Sequence, residues 1–334
     1  MAPIFRWPGG YLVRQNPFVV VLLGPTGCGK SSAALELARM LEEDRGVKVE
    51  LVCMDSMQVY SELEIGNTAP TRADMDRVPH HLFGFQSIRD GFSSVQWLEL
   101  AKECVKDIQS RDALPLFVGG TGLYHRMLTE GVSDVPASPE GLRSRLEDLS
   151  RRKGARFLFR LLERLDPTIA KNTHPNDTQR VQRFLEVKLA SGKSVQTFWG
   201  EGREYALQQP CMTFGLKMDR ELLRRRISKR LDQMVVEGWL EEASTLMKMG
   251  LREVVESRGP IGYRLLFEFL DGPLERQAEL IERIDVATRR YAKRQMTWFQ
   301  SLSSIQWVCN QSETGYNLMH MYSKIVEFMK NSSH

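Results

Sequence analysis

The stretch Phe18-Val19-Val20-Val21-Leu22-Leu23-Gly24-Pro25-Thr26-Gly27-Cys28-Gly29-Lys30-Ser31 decides how the rest of the chain is read. Its first six residues are apolar, rich in β-branched side chains and stopped by a glycine, which predicts a short buried strand. The next eight fit the pattern G-x-x-x-x-G-K-S/T, and helical spacing follows over Ser31–Glu43, with Ala34, Leu37, Ala38 and Leu41 on one face. A glycine-rich turn between strand and helix lets consecutive N–H groups surround phosphate oxygens, and the helix amino terminus adds positive potential. In that reading Gly24, Pro25, Thr26, Gly27, Cys28 and Gly29 form the cradle. Lys30 bridges two phosphates, and the Ser31 hydroxyl ligates Mg²⁺. The motif specifies a polyphosphate without naming its bearer, and Cys28 reads as a small loop residue.

A second strand is expected over Val47–Met54, another short apolar run lies at Leu114–Val118, and a further strand pattern at Met212–Leu216. Buried strands alternating with helices imply an α/β fold with a parallel sheet flanked by helices, of the P-loop NTPase-like kind. From about residue 137 to 205 the sequence is helical and charged, which predicts an all-helical domain inserted into a core made of 1–136 and 206–334. Within it, Ser138-Pro139-Glu140 predicts a helix start. Asn176 with Gln179 suggests a capping box before a helix over Thr178–Ala190 that stops at Ser191-Gly192. Helices are expected over 220–249, 261–270 and 273–300, and His80-His81 is expected in a loop.

The composition excludes several classes. The chain has 334 residues, 42% apolar and 26% charged, an ordinary globular balance that needs no disulfide framework. Its length suggests about two domains. Lys plus Arg is 46 against 42 acidic residues, so any nucleic-acid surface must be a local cluster. No apolar run approaches the roughly 20 residues that cross a bilayer, and the amino terminus lacks the apolar core of a signal peptide. Five widely spaced cysteines (Cys28, Cys53, Cys104, Cys211 and Cys309) read as reduced thiols, so the expectation is a cytoplasmic protein.

Four features carry further chemistry. Asp55 ends the second strand, where ligands bind in open α/β sheets. It can hold Mg²⁺, act as a general base, or simply cap the strand. Val118-Gly119-Gly120-Thr121-Gly122-Leu123-Tyr124 is a second glycine-rich turn, a third wall of the same cleft if the strands are adjacent. Adjacent His80 and His81 lack the spacing of a helical metal pair and favour structural hydrogen bonds. Two helices are basic. Arg220, Arg224, Arg225, Arg226, Lys229 and Arg230 crowd the first, and Arg276, Arg283, Arg290 and Arg294 line an outer face of the second, opposite a stripe of Leu280, Ile284, Ala287, Tyr291 and Trp298. Such faces are either solvated or tracks for a phosphate backbone.

Taken in order, these residues resemble the bacterial-type tRNA dimethylallyltransferases (tRNA isopentenyltransferases). The resemblance runs from Gly24 to about Gln300. It rests on the P-loop, Asp55-Ser56 with Tyr60, Pro79-His80-His81, the turn Gly119–Tyr124, His174-Pro175-Asn176-Asp177 with Gln179-Arg180, Ile261-Gly262-Tyr263-Arg264, and Thr288–Trp298. It implies transfer of a dimethylallyl group from dimethylallyl diphosphate to the exocyclic N6 amine of an adenosine beside the tRNA anticodon. The P-loop then holds the leaving group through Thr26, Lys30, Ser31 and Mg²⁺, and Arg226 or Arg230 clamps it.

Asp55 matches the carboxylate that takes the amine proton, with Thr121 beside it as a catalytic candidate. The adenine must leave the anticodon stack, and a channel would seat base and isoprenoid at opposite mouths. Implied tRNA contacts are Asp55, Ser56, Met57 and Gln58 at the site. Arg143, Gln179, Arg180, Val181, Gln182 and Arg183 would grip the anticodon stem from the insertion, and Gly262, Tyr263, Arg264, Arg290 and Arg294 complete the set. A monomer is expected. The sequence departs from the family at Glu64-Ile65-Gly66-Asn67, where Asp-Ile-Gly-Thr is usual, and at Pro260. Two other readings remain at this point: a P-loop kinase of a small metabolite, and a non-catalytic, nucleotide-switched RNA-binding protein.

Overall fold

A computed structural model describes residues 5–6, 12–13, 18–131, 135–136, 138–199, 205–272, 277–312 and 315–331. Its strands are β1 (Phe5–Arg6), β2 (Leu12–Val13), β3 (Val19–Leu23), β4 (Val49–Cys53), β5 (His80–His81), β6 (Leu114–Gly119), β7 (Cys211–Lys217), β8 (Gln306–Ser312) and β9 (Gly315–Tyr316). β1 and β2 pair with each other, and the other seven form one sheet in the order β5-β4-β6-β3-β7-β8-β9. The first six in that order run parallel, and β9 returns antiparallel to β8. The predicted parallel α/β sheet is therefore present, and β3, whose five residues are all buried, lies inside it.

Two compact units divide the chain: Met1–Arg126 with Leu207–His334, and Met127–Ala206. In the first unit, α1 (Lys30–Arg45), α2 (Arg72–Arg77), α3 (Ser94–Ser110) and the start of α4 (Gly122–Glu130) alternate with strands. Ala34, Leu37 and Leu41 of α1 pack with Val20 and Leu22 on one face of the sheet. On the opposite face, Trp97 of α3 donates Nε1–H to the Cys53 carbonyl at 2.9 Å and stacks on Tyr124 with ring centroids 4.1 Å apart. A Ser93–Gln96 capping box starts α3.

The second unit contains α5 (Leu142–Lys153), α6 (Ala155–Leu165), α7 (Pro167–Lys171), α8 (Thr178–Ser191) and α9 (Val195–Phe198) around its own core, which includes Leu146, Leu158, Leu162, Val181, Leu185 and Phe198. Two predicted boundaries shift. Ser138-Pro139-Glu140 precedes α5 as a turn, closed by Leu142 N–H on the Pro139 carbonyl, and the helix begins after Gly141. The cap of α8 is Asp177, whose side chain accepts from the Arg180 N–H, one residue after the expected Asn176.

Beyond β7 the first unit adds α10 (Arg220–Val236), α11 (Trp239–Lys248), α12 (Arg252–Arg258), α13 (Tyr263–Leu270), α14 (Gln277–Gln300) and α15 (Leu318–Asn331). The helix expected over 220–249 is broken by Gly238, at φ 100° and ψ 32°, so the chain turns between α10 and α11. The expected start of the last basic helix at 273–276, with Arg276, lies outside the described residues. Among the elements not expected are β8, which extends the sheet beside β7, and α15, whose Met321 and Ile325 join the core with α1. His80 and His81, expected in a loop, form the short edge strand β5.

Candidate active site

Strand β3 delivers the glycine-rich turn to the carboxyl edge of the sheet. Gly27 and Gly29 have φ of 79° and 89°, which turn the chain into α1, and Ile227 of α10 fills the space that a side chain on Gly27 would need. Lys30 lies back across the loop with Nζ 3.0 Å from the Pro25 carbonyl, and Ser31 is exposed in the first turn of the helix. Cys28 is fully buried, in keeping with a loop-filling role, and all five cysteines are free thiols.

Asp55 follows β4, two strands from β3 in the sheet order. Its Oδ1 accepts the Met57 N–H at 2.9 Å, which folds residues 55–57 into a tight turn. The second glycine-rich turn, after β6, is fastened to the first residues of that turn. Thr121 Oγ1 accepts the Ser56 N–H at 3.0 Å, and the Thr121 N–H donates to the Met54 carbonyl at 3.3 Å. Gly119 presses against the Met54 carbonyl, where a Cβ has no space. Gln58 spends its amide on the carbonyls of Asn67 and Thr68, at 2.9 and 3.0 Å.

Two helices close the site from outside the sheet. Arg230 of α10 donates to Thr26 Oγ1 at 3.2 Å and to Thr68 Oγ1 at 2.9 Å, and Arg226 reaches the Cys28 carbonyl at 3.4 Å. Burial pulls the Arg230 guanidinium below its ordinary value, and the nearby Asp55 charge opposes that shift. Gln295 of α14 bridges the two glycine-rich turns: its Oε1 accepts the Thr26 N–H at 2.8 Å, and its Nε2 donates to the Gly120 carbonyl at 2.9 Å. Tyr291 lies one turn earlier. Burial, reinforced by the Asp55 charge, pushes its hydroxyl well above the usual tyrosine value. From the carboxyl-terminal hairpin, the Tyr316 hydroxyl donates to the Cys28 carbonyl at 2.8 Å.

Gln295, Tyr291 and Tyr316 were not picked out from the sequence as site residues. Gln295 was the most accessible to reasoning, because it shares the inward face of α14. That face consists of Leu280, Ile284, Asp285, Thr288, Ala292, Gln295 and Phe299, whereas the expected Ala287, Tyr291 and Trp298 are only partly buried. The hydrophobic pattern misplaced the stripe because three of its buried members are polar. Thr288 donates to the Ile284 carbonyl at 2.8 Å, Asp285 accepts from Ser228 at 3.0 Å, and Gln295 has the two loop contacts.

The structure thus brings together the P-loop, Asp55, Ser56, Thr121, Arg226 and Arg230. Arg290 and Arg294 are exposed on α14, where with Lys293, Thr297, Trp298 and Ser301 they line a shallow basic recess. Arg264 is exposed and paired with Glu268 at 3.0 Å. Tyr263 is fully buried, so its expected role as an RNA contact is corrected: the hydroxyl donates to Glu242 at 2.5 Å. Gly262, at φ 97°, lies against the Trp239 indole, which leaves no room for a side chain.

In the second unit Gln179 and Arg180 are exposed at the start of α8, with Arg180 3.6 Å from Asp177. Arg143, Gln182 and Arg183 converge on the buried Glu186, at 3.1, 3.4 and 3.4 Å. Val181 is a core residue there, which corrects its assignment as an RNA contact. His80 and His81 are structural, as expected: His80 Nδ1 lies 2.7 Å from the Val78 carbonyl, and His81 Nε2 lies 2.6 Å from Glu50.

Among the described residues there is no group of three or more His, Cys, Asp or Glu that could hold a metal. Oxygen donors at the P-loop that could serve a divalent ion are the exposed Ser31 hydroxyl and the phosphates of a bound substrate, a donor set that suits Mg²⁺.

Comparison with known proteins identifies this arrangement. The family model described as IPP transferase matches residues 58–302. The tRNA dimethylallyltransferase of Geobacter metallireducens is 39% identical over 295 residues, covering 88% of this chain and 93% of the relative. That of Koribacter versatilis is 38% identical over 297 residues, covering 88% and 93%. Among solved structures, the full-length tRNA isopentenylpyrophosphate transferase of Bacillus halodurans is 32% identical, covers 96% of this chain and 98% of its own, and superposes with a TM-score of 0.65. A eukaryotic dimethylallyltransferase acting on tRNA is 27% identical, covers 94% and 80%, and has a TM-score of 0.77. Matched along most of its length in both sequence and fold, the chain belongs to the IPP transferase family.

Proposed function

We propose that this enzyme transfers the dimethylallyl group of dimethylallyl diphosphate to the N6 amine of an adenosine adjacent to the anticodon of tRNA. The observation that carries the reading is Arg230. It donates to Thr26 of the P-loop and to Thr68, and it lies within the field of the Asp55 charge, which opposes part of the effect of burial, so a fixed cation sits against a phosphate cradle and near a carboxylate. Such a site suits a reaction in which a diphosphate leaves one carbon as an amine attacks it.

The chemistry balances with the residues present. The N6 lone pair forms a bond to C1 of the allyl group, the C1–O bond breaks, and its electrons depart on the diphosphate. The P-loop amides, Lys30 and Arg230 stabilise the charge that develops there. Asp55 accepts the proton lost from N6, with its carboxylate oriented by the Met57 N–H and its turn fastened by Thr121. Mg²⁺, when bound through Ser31 and the phosphates, supplies further charge neutralisation. Arg290, Arg294 and the cations of the second unit would track the RNA backbone.

The reading takes the enzyme as a monomer, since all of these side chains come from one chain, and as cytoplasmic, a compartment that suits its five free thiols. No helix among the described residues is long and apolar enough to cross a membrane. No observation favours the kinase or the nucleotide-switch reading.

The test is incubation with unmodified tRNA and dimethylallyl diphosphate, followed by mass spectrometry of the nucleosides. N6-isopentenyladenosine is expected. Bound but unmodified tRNA would point to the switch, and phosphate passing from ATP to a small molecule would point to the kinase.

A further inference from the structure

Three consecutive backbone N–H groups converge on one carboxylate outside the P-loop. Glu242 of α11 accepts from Glu64 and Ile65 at Oε2, each at 2.8 Å, and from Gly66 at Oε1 at 3.1 Å. The Tyr263 hydroxyl donates to the same Oε1 at 2.5 Å. A carboxylate bound by four donors holds a length of main chain firmly, because hydrogen bonds to a charged acceptor are the strong ones. Gly66 fits so closely that the Tyr263 hydroxyl and the Trp239 indole occupy the place of a Cβ.

The segment pinned in this way reaches the active site in two directions. Buried Asn67 donates to the Met57 carbonyl at 2.6 Å, and the Met57 N–H in turn holds Asp55. Thr68 follows, a β-branched residue at φ 49°, where such side chains rarely sit. Strain of that kind persists only where the surroundings over-determine it, and it concentrates at functional sites. Here Thr68 Oγ1 donates its proton to the Asn67 carbonyl at 2.7 Å, which leaves its lone pairs to accept from Arg230 at 2.9 Å.

We propose that Glu242 is a positioning residue for the leaving group: it fixes residues 64–68 so that the Thr68 hydroxyl holds the Arg230 guanidinium against the P-loop. This rests on Arg230 being the diphosphate clamp. Neither Glu242 nor Thr68 touches substrate in this scheme; each acts through the next group in the chain of bonds.

Calorimetric binding of inorganic diphosphate with Mg²⁺ to the full chain tests it, with the melting temperature of each variant measured alongside. Thr68→Val and Glu242→Gln are each expected to weaken binding about five- to tenfold, the scale of one hydrogen bond. Thr68→Ser, which keeps the hydroxyl, should restore affinity. The double variant should bind no worse than the weaker single, because both changes cut the same path. Should Glu242→Gln fail to fold, Tyr263→Phe takes its place in the cycle, with a loss of about two- to threefold expected.

Full affinity in Thr68→Val, or additive losses in the double variant, would overturn the inference. Arg230→Gln separates this from the reading beneath it. If Arg230→Gln keeps full affinity, the clamp assignment itself fails. If it loses affinity while Thr68→Val does not, only the positioning role fails.

Discussion

At the scale of single residues, Asp55 carries the greatest demand. One of its oxygens is taken by the Met57 N–H, the other has no hydrogen bond among the described residues, and the side chain is only half-buried. Asp55→Asn keeps the shape and cannot take up a proton. Turnover should fall by about 10²–10⁴-fold, the range for general acid–base catalysis, with affinities for tRNA and diphosphate changed far less. Loss of diphosphate affinity, partly restored by extra Mg²⁺, would instead mark it as a metal partner. Lowered stability with normal turnover would mark a strand cap. Asp55 and Thr121 were legible in the sequence because each directly follows a short apolar strand, where α/β sheets place ligands. Gln295, Glu242 and Tyr263 were not. A Gln in a helix looks like surface, and a carboxylate that receives N–H groups from residue 64, 178 positions away, leaves no local pattern.

Elements show the same division between local and distant causes. β3 and β6 were readable as uninterrupted apolar runs because both faces of each are covered, and β4 as an apolar run broken only by Glu50. β8 was not, since Gln306-Trp307-Val308-Cys309-Asn310 has no long apolar run, and the face that carries the buried Val308 also carries the polar Gln306 and Asn310. The edge strand β5 is tied to β4 by Glu50, which also accepts from Arg111 at 2.8 Å. Burial pushes the Glu50 carboxyl up, but the bonds from Arg111 and His81 outweigh it and hold the group below the usual glutamate value. Its charge therefore stabilises the fold above the ordinary carboxylate range, and that contribution is lost as pH falls through the depressed value. In thermal melts from about pH 5 downward, the deficit of Glu50→Gln relative to wild type should shrink. A deficit independent of pH would show that packing, not charge, matters there. On α14 the exposed Arg290 and Arg294 make a different claim. Replacing either by Ala should weaken tRNA binding and flatten its salt dependence by roughly one unit or somewhat less. An unchanged slope in both variants would return them to an ordinary solvated face.

The whole molecule is a P-loop α/β unit interrupted by a helical unit with its own core, and the interruption was visible as a change from strand-forming to charged helical sequence. Its family membership explains why a phosphate cradle, a carboxylate and two basic helices occur in one chain that is otherwise nearly neutral. In the proposed reaction the cradle holds a leaving group and no phosphoryl group is transferred. Dimethylallyl diphosphate labelled with ¹⁴C in the prenyl chain and ³²P in the terminal phosphate tests it directly. After incubation with tRNA, carbon label should enter the RNA in step with the release of inorganic diphosphate carrying all of the phosphorus. Phosphorus label in RNA or in any phosphorylated acceptor, or carbon label that stays on the diphosphate, would contradict the account.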